Sequence, residues 1–412
     1  MRKLLFFSMI LAIASFGIAS ATESVRISSG AAATNHPDLI GIQRENTASG
    51  YTEVHKLSGT SGYTQRSLDA VTPLIKSGGN NSAKWLFFMS DYDKDGIPDL
   101  IGVQRENTGS GYTEVHVLSG ASGYTQWLVN AVTPLEKSDS SASELLLFMA
   151  DYDGDGIPDL ICIKRENTLS GYTEIHVLSG ASGYTQWALH AVTPFPKSGS
   201  SSSSDWLFFM ADYDKDGIPD LVGVQRENTA SGYTEVNVLS GASKYSQWLV
   251  NATTPLIKSG SSNSGEWLFY MADYDGDGIP DLVGVQRENT GTGYTEVHVL
   301  SGVSKYSQWL VNAATPLVKT GSSNAGEWLF YMADYDGDGI PDLIGVQREN
   351  TGTGYTEVHV LSGVSKYSQW LVNTATPFAK SGSSNSGEFA LCLNYKCIPN
   401  QDAYNKLTVA VT

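Results

Sequence analysis

Asp273–Asp281 reads Asp-Tyr-Asp-Gly-Asp-Gly-Ile-Pro-Asp, and the chain carries four further copies of this nonapeptide, two identical to it and two with lysine at the fourth position. The copies begin 60 or 61 residues apart, at Asp91, Asp151, Asp212, Asp273 and Asp334. Each places carboxylates at positions 1, 3, 5 and 9 and a glycine at position 6. A motif that recurs at a fixed period of this length indicates a tandem-repeat architecture.

Four strand-like segments surround the nonapeptide in each repeat. In residues 265–325 they are the apolar run Glu266–Met271, then Leu282–Gln286, the alternating Tyr294–Leu300, and Tyr306–Asn312. Four short strands per 61 residues are typical of a propeller blade. An immunoglobulin-like sandwich needs about 100 residues per unit. The sequence therefore predicts an all-β protein, a β-propeller of four-stranded antiparallel blades.

The number of blades depends on how the two ends are counted. Residues 22–386 contain six repeats, the first with Ser24–Ile27 as its first strand, and residues 387–412 begin a shortened closing repeat. This count favours seven blades, with both termini meeting so that no sheet edge stays open. Six blades remain the alternative.

The nonapeptide has the chemistry of a calcium loop. Calcium takes six to eight oxygen ligands, and glycine permits the sharp turn that lets alternate carboxylates converge. The position-7 carbonyl would add an oxygen, and its apolar side chain would turn inward. An EF-hand would need an acid at position 12, where these repeats carry glycine or cysteine. We therefore predict about five Ca²⁺ ions. The predicted ligands are Asp91, Asp93, Asp95, Ile97, Asp99, Asp151, Asp153, Asp155, Ile157, Asp159, Asp212, Asp214, Asp216, Ile218, Asp220, Asp273, Asp275, Asp277, Ile279, Asp281, Asp334, Asp336, Asp338, Ile340 and Asp342.

The beginning of the chain and its charge indicate where the protein works. Arg2 and Lys3, the apolar run Leu4–Ile18 and an Ala-x-Ala pattern predict a signal peptide over residues 1–21. The mature protein is expected to be secreted, periplasmic or at the cell surface, without membrane insertion. A formal charge of −17 argues against nucleic acid as a partner.

Three cysteines are too few for a disulfide scaffold. Cys392 and Cys397 are close in sequence and are predicted to form a local disulfide in an oxidising compartment. Cys162 stands alone in an apolar strand pattern, and we expect it to be a buried small residue.

The Asp-x-Asp-x-Asp-Gly-x-x-Asp loop in repeats of about 60 residues resembles FG-GAP/VCBS repeats. These build the integrin α-subunit type of calcium-binding propeller and many secreted bacterial proteins. The resemblance covers nearly the whole mature chain. It implies a cation in the loop between the first two strands of a blade, held at positions 1, 3, 5, 7 and 9. It does not extend to the first repeat, where Gly30 replaces the first acid and only Asp38 remains. Nor does it extend to the closing repeat, where the breaks in the pattern are Asn394, Lys396 and Asn400.

Beyond the metal, the repeats favour a non-catalytic binding or adhesion module for an extracellular protein or glycan. No nucleophile elbow, phosphate loop or His-Glu-x-x-His motif is present. One alternative is a multivalent lectin in which the tyrosine of Tyr233–Glu235 and the strand-four tryptophans stack on sugars, while Arg226–Asn228 bonds hydroxyls. A polysaccharide-acting enzyme is a further alternative. We expect the histidines that recur at one third-strand position to face solvent; they are His55, His116, His176, His298 and His359.

Overall fold

A computed structural model describes residues 36–76, 84–137, 145–198, 205–258, 266–320, 327–380 and 389–393. They form six separate four-stranded sheets with antiparallel pairing throughout. We number the sheets as blades one to six in chain order. The first strands of blades one and two contact each other, as do those of blades four and five. The expected all-β propeller of four-stranded antiparallel blades is confirmed. The favoured count of seven blades is wrong, and the alternative of six is correct.

Each blade runs from its first to its fourth strand. The first strands of blades one to six are Phe389–Leu393, Trp85–Ser90, Leu145–Ala150, Trp206–Ala211, Trp267–Ala272 and Trp328–Ala333. The second strands are Leu39–Gln43, Asp99–Gln104, Asp159–Lys164, Asp220–Gln225, Asp281–Gln286 and Asp342–Gln347. The third strands are Tyr51–Leu57, Tyr112–Leu118, Tyr172–Leu178, Tyr233–Leu239, Tyr294–Leu300 and Tyr355–Leu361. The fourth strands are Arg66–Ile75, Trp127–Glu136, Trp187–Pro196, Trp248–Ile257, Trp309–Val318 and Trp370–Ala379. One 3-10 turn is assigned, at Gly59–Ser61.

Blade one closes the ring with a strand from the far end of the chain. Phe389–Leu393 pairs antiparallel with Leu39–Gln43, so that Leu391 lies opposite Gly41. Only one strand can pair with the free edge of Leu39–Gln43, and Phe389–Leu393 is that strand. The sequence count treated the two ends of the chain as two blades, whereas they contribute to one. Ser24–Ile27, which was expected to be that strand, lies outside the described residues, as does the predicted signal peptide.

The hydrophobic core lies between blades. The first strand Trp267–Ala272 is buried along its whole length, as its unbroken apolar sequence predicts. Its neighbours include side chains of the next blade: one core cluster joins Leu268 and Leu317 of blade five to Trp328 of blade six. Another joins blade six to blade one across the closure. Each blade thus buries its faces against its two neighbours.

Antiparallel order puts two connections of every blade at the same end of the ring. The loop between the first and second strands is the nonapeptide, and the turn between the third and fourth strands lies beside it, as Gly302 beside Asp281 shows. Within the described ranges, no helix is long and apolar enough to cross a bilayer.

Candidate metal centre

The ninth residue of the loop fastens the nonapeptide to the rest of its blade. In blade five, Asp281 is fully buried, and its Oδ2 accepts the backbone N–H of Tyr274 at 2.7 Å. Its Oδ1 accepts the N–H of Gly302 in the turn between strands three and four, also at 2.7 Å. The same two bonds recur in the other four loops at 2.7–2.9 Å. One carboxylate therefore joins two separate connections of the blade.

The turn at Gly302 has no space for a side chain. A Cβ there would lie 2.4 Å from the carbonyl oxygen of Pro280 and 2.7 Å from the Cγ2 atom of Ile279. The position-7 isoleucine therefore covers this glycine. The expectation that it turns inward holds only in part, because Ile97 of blade two is 45% exposed.

The first six residues of the loop fold around their own carboxylates. Gly278 has a φ of 84°, a left-handed conformation that favours glycine, and its N–H donates to Asp273 Oδ2 at 2.9 Å. The N–H of Asp277 donates to Asp275 Oδ1 at 3.2 Å, and the N–H of Ile279 donates to Asp277 Oδ1 at 2.7 Å. These bonds fix three carboxylates in one compact turn.

The structure brings together the carboxylates at positions 1, 3 and 9. In each loop one oxygen from each of them lies within 4.8 Å of the others. Two oxygens on opposite sides of a calcium ion, each about 2.4 Å from it, would lie about 4.8 Å apart. The grouped residues are Asp91, Asp93, Asp99, Asp151, Asp153, Asp159, Asp212, Asp214, Asp220, Asp273, Asp275, Asp281, Asp334, Asp336 and Asp342.

The position-5 aspartates do not belong to these groups. Their carboxylates instead accept hydrogen bonds from the loop backbone, as Asp277 accepts the N–H of Ile279. The ligand roles of position 5 and of the position-7 carbonyl remain predictions.

The position-9 carboxylates are in surroundings that disfavour their charge. Burial, with the neighbouring carboxylates adding to it, raises the pKa of the Asp281 carboxyl from 3.8 to about 7. The pKa values of Asp159, Asp220 and Asp342 are raised to about 7 and that of Asp99 to about 6, again chiefly by burial. A nearby dication would oppose this shift.

A hard divalent cation fits the donor set of these loops. The donors are carboxylate oxygens, the ligands that Ca²⁺ takes, and no thiol or imidazole belongs to any group. In blade five the Oδ1 atom of Asp273 is buried, and no hydrogen bond reaches it within the described residues. Buried carboxylate oxygens normally have a partner, and a cation among the three acids would supply one.

Blade one lacks the acidic loop but keeps the hydrogen bond between the position-9 aspartate and the glycine of the turn between strands three and four, which we call the clamp. Asp38 keeps position 9, and its Oδ1 accepts the N–H of Gly59 at 2.8 Å. The ammonium group of Lys56 lies 2.7 Å from Asp38 Oδ2. At the position of Lys56 the other five blades carry valine, namely Val117, Val177, Val238, Val299 and Val360. A cationic side chain therefore lies against this carboxylate in the blade that lacks the other acids.

The loops are also joined from blade to blade. The hydroxyl of Tyr274, at loop position 2, donates to the carbonyl of Gly363 in the next blade at 2.9 Å. Equivalent bonds link blades two to three, four to five and, at the closure, six to one. In blades two and four the position-4 residues Lys94 and Lys215 reach a backbone carbonyl of the following loop. The partners of Lys56 and of these tyrosines were not anticipated, although the single lysine in a column of valines is visible in the sequence.

Several predicted features outside the loops differ from expectation. The arginine of the recurring Arg-Glu-Asn string is buried, as Arg226 is completely, and cannot reach sugar hydroxyls from the surface. Tyr233 is the first residue of the third strand and pairs with Ile257, whereas Trp248 pairs with Leu239 at the other end of that strand, so the two rings do not form one pocket. The third-strand histidines do not face solvent: their side chains are only 10–19% exposed.

The cysteine predictions are met where the structure describes them. Cys162 is free and buried, as expected. Cys392 is buried in the strand that closes blade one. Its predicted disulfide partner Cys397 lies outside the described residues, so the pairing stays a prediction.

Six four-stranded blades with an acidic loop in five of them define a repeat β-propeller. Residues 91–162 and 151–223 match the family model of the FG-GAP-like repeat. This chain is an FG-GAP repeat β-propeller. No curated protein matches it significantly in sequence.

Several solved structures resemble this chain at low sequence identity. A lectin from Agrocybe aegerita that recognises non-reducing terminal N-acetylglucosamine has a TM-score of 0.51 and 15% identity, over 88% of this chain and 96% of the lectin. An α-L-arabinofuranosidase from Fusarium graminearum has a TM-score of 0.43 and 12% identity, over 72% of this chain and 83% of the enzyme. TolB from Acinetobacter baumannii has a TM-score of 0.43 and 9% identity, over 88% of this chain and 68% of TolB. The likeness to the lectin is one of fold alone.

Proposed function

We propose that each of the five acidic loops binds one Ca²⁺ ion, and that the protein is an exported, non-catalytic binding or adhesion module. The observation that carries the calcium assignment is the contrast at position 9. Asp38 has the Lys56 ammonium 2.7 Å from its Oδ2, whereas Asp281 has two further carboxylates beside it. We infer that a bound cation compensates the position-9 carboxylate in blades two to six, as the lysine does in blade one.

Calcium is favoured over other common cations by its ligand preferences. Zinc prefers histidine and cysteine, and magnesium requires a stricter octahedron and retains several waters. The ion would join the first half of the loop to Asp281, which already holds the turn at Gly302. Because Tyr274 bonds the next blade, an ordered loop would also stabilise the contact between blades.

Isothermal titration calorimetry on chelator-treated protein tests the calcium assignment. We expect saturable binding with a stoichiometry near five and no comparable binding of magnesium at equal concentration. The matched control is a chain in which Asp273, Asp275 and Asp281 are all changed to asparagine, which should bind one ion fewer. Equal stoichiometry in the two chains would refute the assignment for blade five.

Export is supported by Arg2, Lys3 and the apolar run Leu4–Ile18. Amino-terminal sequencing of protein recovered from the medium, the periplasm or the cell surface should begin at Thr22. An amino terminus at Met1 in the recovered protein would contradict a cleaved signal peptide.

A glycan is a second candidate for the ligand, because one exposed aromatic ring recurs in several blades. Trp127, Trp248, Trp309 and Trp370 are 37–41% exposed at the start of the fourth strands. Each follows a glutamine in the sequence. An exposed indole beside amide groups can stack on a sugar ring and hydrogen-bond its hydroxyls.

A glycan array separates a lectin from a protein-binding module. If the ligand is a sugar, the calcium-loaded chain should select a small set of glycans, and changing Trp309 and Trp370 to alanine should weaken that binding. An array without selective binding would remove the lectin candidate. It would leave the calcium assignment intact, since calorimetry tests that assignment separately.

A further inference from the structure

Blade three differs from the other blades in a pair of histidines on its two outer strands. His176 on the third strand lies directly opposite His190 on the fourth. Their Nδ1 atoms are 2.8 Å apart, and the ring centroids are 5.0 Å apart with the planes at 64°. In the other blades the position of His190 is occupied by Asp69, Asn130, Asn251, Asn312 and Asn373. Blade three alone therefore has two imidazoles at this pair of positions.

One histidine of the pair is open to solvent, and the other is held by a carboxylate. His190 is exposed to solvent, and the side chain of His176 is 19% exposed. Glu174 Oε2 lies 3.5 Å from Nε2 of His176, so this carboxylate can accept the Nε2–H. A histidine that donates its distal N–H to a carboxylate presents the lone pair of its other nitrogen, as metal-binding histidines do.

Without a metal, the 2.8 Å contact is a hydrogen bond in which one Nδ1–H donates to the other Nδ1. Burial, followed by the charge that His190 would carry, lowers the pKa of His176, so the imidazole is neutral at neutral pH. Transfer of this proton through solvent from Nδ1 to Nε2 of His190 would keep that imidazole neutral and leave one lone pair on each Nδ1 atom.

We propose that His176 and His190 bind one divalent transition-metal ion through their Nδ1 atoms, Cu²⁺ before Ni²⁺. Two nitrogens at adjacent corners of a square, each about 2.0 Å from the metal, lie about 2.8 Å apart, whereas tetrahedral angles need about 3.3 Å. The 2.8 Å of the metal-free hydrogen bond thus equals the spacing of adjacent nitrogens in the tetragonal geometry typical of Cu²⁺ and Ni²⁺, so these ions could bind without moving the two Nδ1 atoms apart. Water completes the coordination. This site is independent of the acidic loops, whose oxygen ligands suit a harder cation.

The test uses calcium-saturated, full-length mature protein, so that the acidic loops are occupied. Cu²⁺ is added in the presence of a competing chelator of known affinity, and electron paramagnetic resonance counts the coordinated nitrogens. We expect one tightly held copper per chain, with two nitrogens from imidazole. Trp187 lies 4.6 Å from His190 between ring centroids, so binding should also quench part of the tryptophan fluorescence.

Two variants copy other blades and are therefore expected to fold. His190→Asn gives blade three the histidine–asparagine pair of blade two and should lower copper affinity at least about tenfold, since loss of even a second-shell partner costs 10–100-fold. Asn130→His places a second imidazole opposite His116, whose Nδ1 is 3.0 Å from Asn130 Oδ1. This variant should bind two copper ions.

The outcomes decide the proposal in either direction. Thermal unfolding before copper addition shows whether each variant folds as the parent does. Equal copper affinity in the parent and His190→Asn, or a parent spectrum without two nitrogen ligands, would overturn the site. Should His190→Asn fail to fold, the number of copper ions bound by Asn130→His decides alone: two support the proposal and one overturns it.

Discussion

Blades one and five contain the same clamp in two different electrostatic settings. In both, the position-9 aspartate accepts the glycine N–H of the turn between strands three and four, at 2.8 Å for Asp38 and 2.7 Å for Asp281. Asp38 is paired with Lys56, whereas Asp281 has Asp273 and Asp275 beside it. The difference shows that the clamp is common to all blades and that its compensating charge is not. Blade one is therefore the internal control for calcium dependence.

The largest expected effect is the removal of calcium from all five loops at once. If the ion binds only the folded chain, each independent site adds about 2.7 kcal/mol at a calcium concentration 100 times its Kd. Chelation should therefore lower the melting temperature strongly, and added calcium should restore it. Scanning calorimetry with and without chelator measures this. A melting temperature that is the same in both conditions would show that blades two to six are no more calcium-dependent than blade one.

A smaller effect is expected from removing a single clamp. Asp281→Ala deletes two charge-assisted hydrogen bonds, each worth about 1.5–3 kcal/mol, and a calcium ligand. We expect a loss of about 3 kcal/mol or more in the free energy of unfolding, measured with denaturant in calcium. Asp277→Ala is the matched control in the same loop and should cost less, because the Asp277 carboxylate accepts one backbone N–H of the loop, that of Ile279. A greater cost for Asp277→Ala would reverse the assigned roles.

Lys56→Val gives blade one the residue of the other blades and leaves the half-buried carboxylate of Asp38 without its cation. Leaving a buried group unpaired costs about 1–3 kcal/mol, and the partial exposure of Asp38 places the loss at the lower end of that range. The expected loss is the same with calcium and with chelator, because no acidic loop is involved. Urea unfolding of this variant under both conditions checks the prediction. A loss that appears only with chelator would mean that calcium takes the place of the lysine in blade one, and it would remove the contrast between the blades.

A further expected effect is a dependence on pH in the calcium-free protein. The pKa of Asp281 is raised from 3.8 to about 7, so between these values the folded chain holds a proton that the unfolded chain releases. Stability from this group is present at low pH and is lost as the pH rises towards 7. Chelated protein should therefore melt at a lower temperature at pH 8 than at pH 5, and calcium should reduce the difference. Asp281→Asn should remove one part of this pH dependence, since Asp99, Asp159, Asp220 and Asp342 keep their raised pKa values. An increase in stability towards pH 8 would contradict the assignment.

The sequence predicted what repeats locally and missed what depends on pairing across the chain. The apolar run Trp267–Ala272 and the alternation in Tyr294–Leu300 are sufficient to place strands, because burial follows these patterns directly. Which end of the chain supplies the first strand of blade one is not a local property, since Phe389–Leu393 meets Leu39–Gln43 only after the ring has formed. The blade count was therefore wrong although the blade itself was right.

The candidate site likewise combines features that the sequence predicted with features that only the structure reveals. The positions of the carboxylates could be read from their spacing, whereas the separation of position 5 from positions 1, 3 and 9 follows from backbone hydrogen bonds within the turn. The pairing of Lys56 with Asp38 and that of His176 with His190 depend on strand register. Lys56 and His190 differ from the residues at the equivalent positions of the other repeats, so the sequence reveals them as unusual. The sequence does not reveal which residue each of them contacts.

Native mass spectrometry of calcium-loaded protein tests the central claim most directly, because it counts ions on each intact chain. We predict five calcium ions on the parent, five on Lys56→Val, and four on a chain in which Asp273, Asp275 and Asp281 are all asparagine. The central claim is that a bound cation supplies the positive charge in the acidic loops and that a lysine supplies it in blade one. A parent without bound calcium, or the same count in the parent and the triple variant, would contradict this claim.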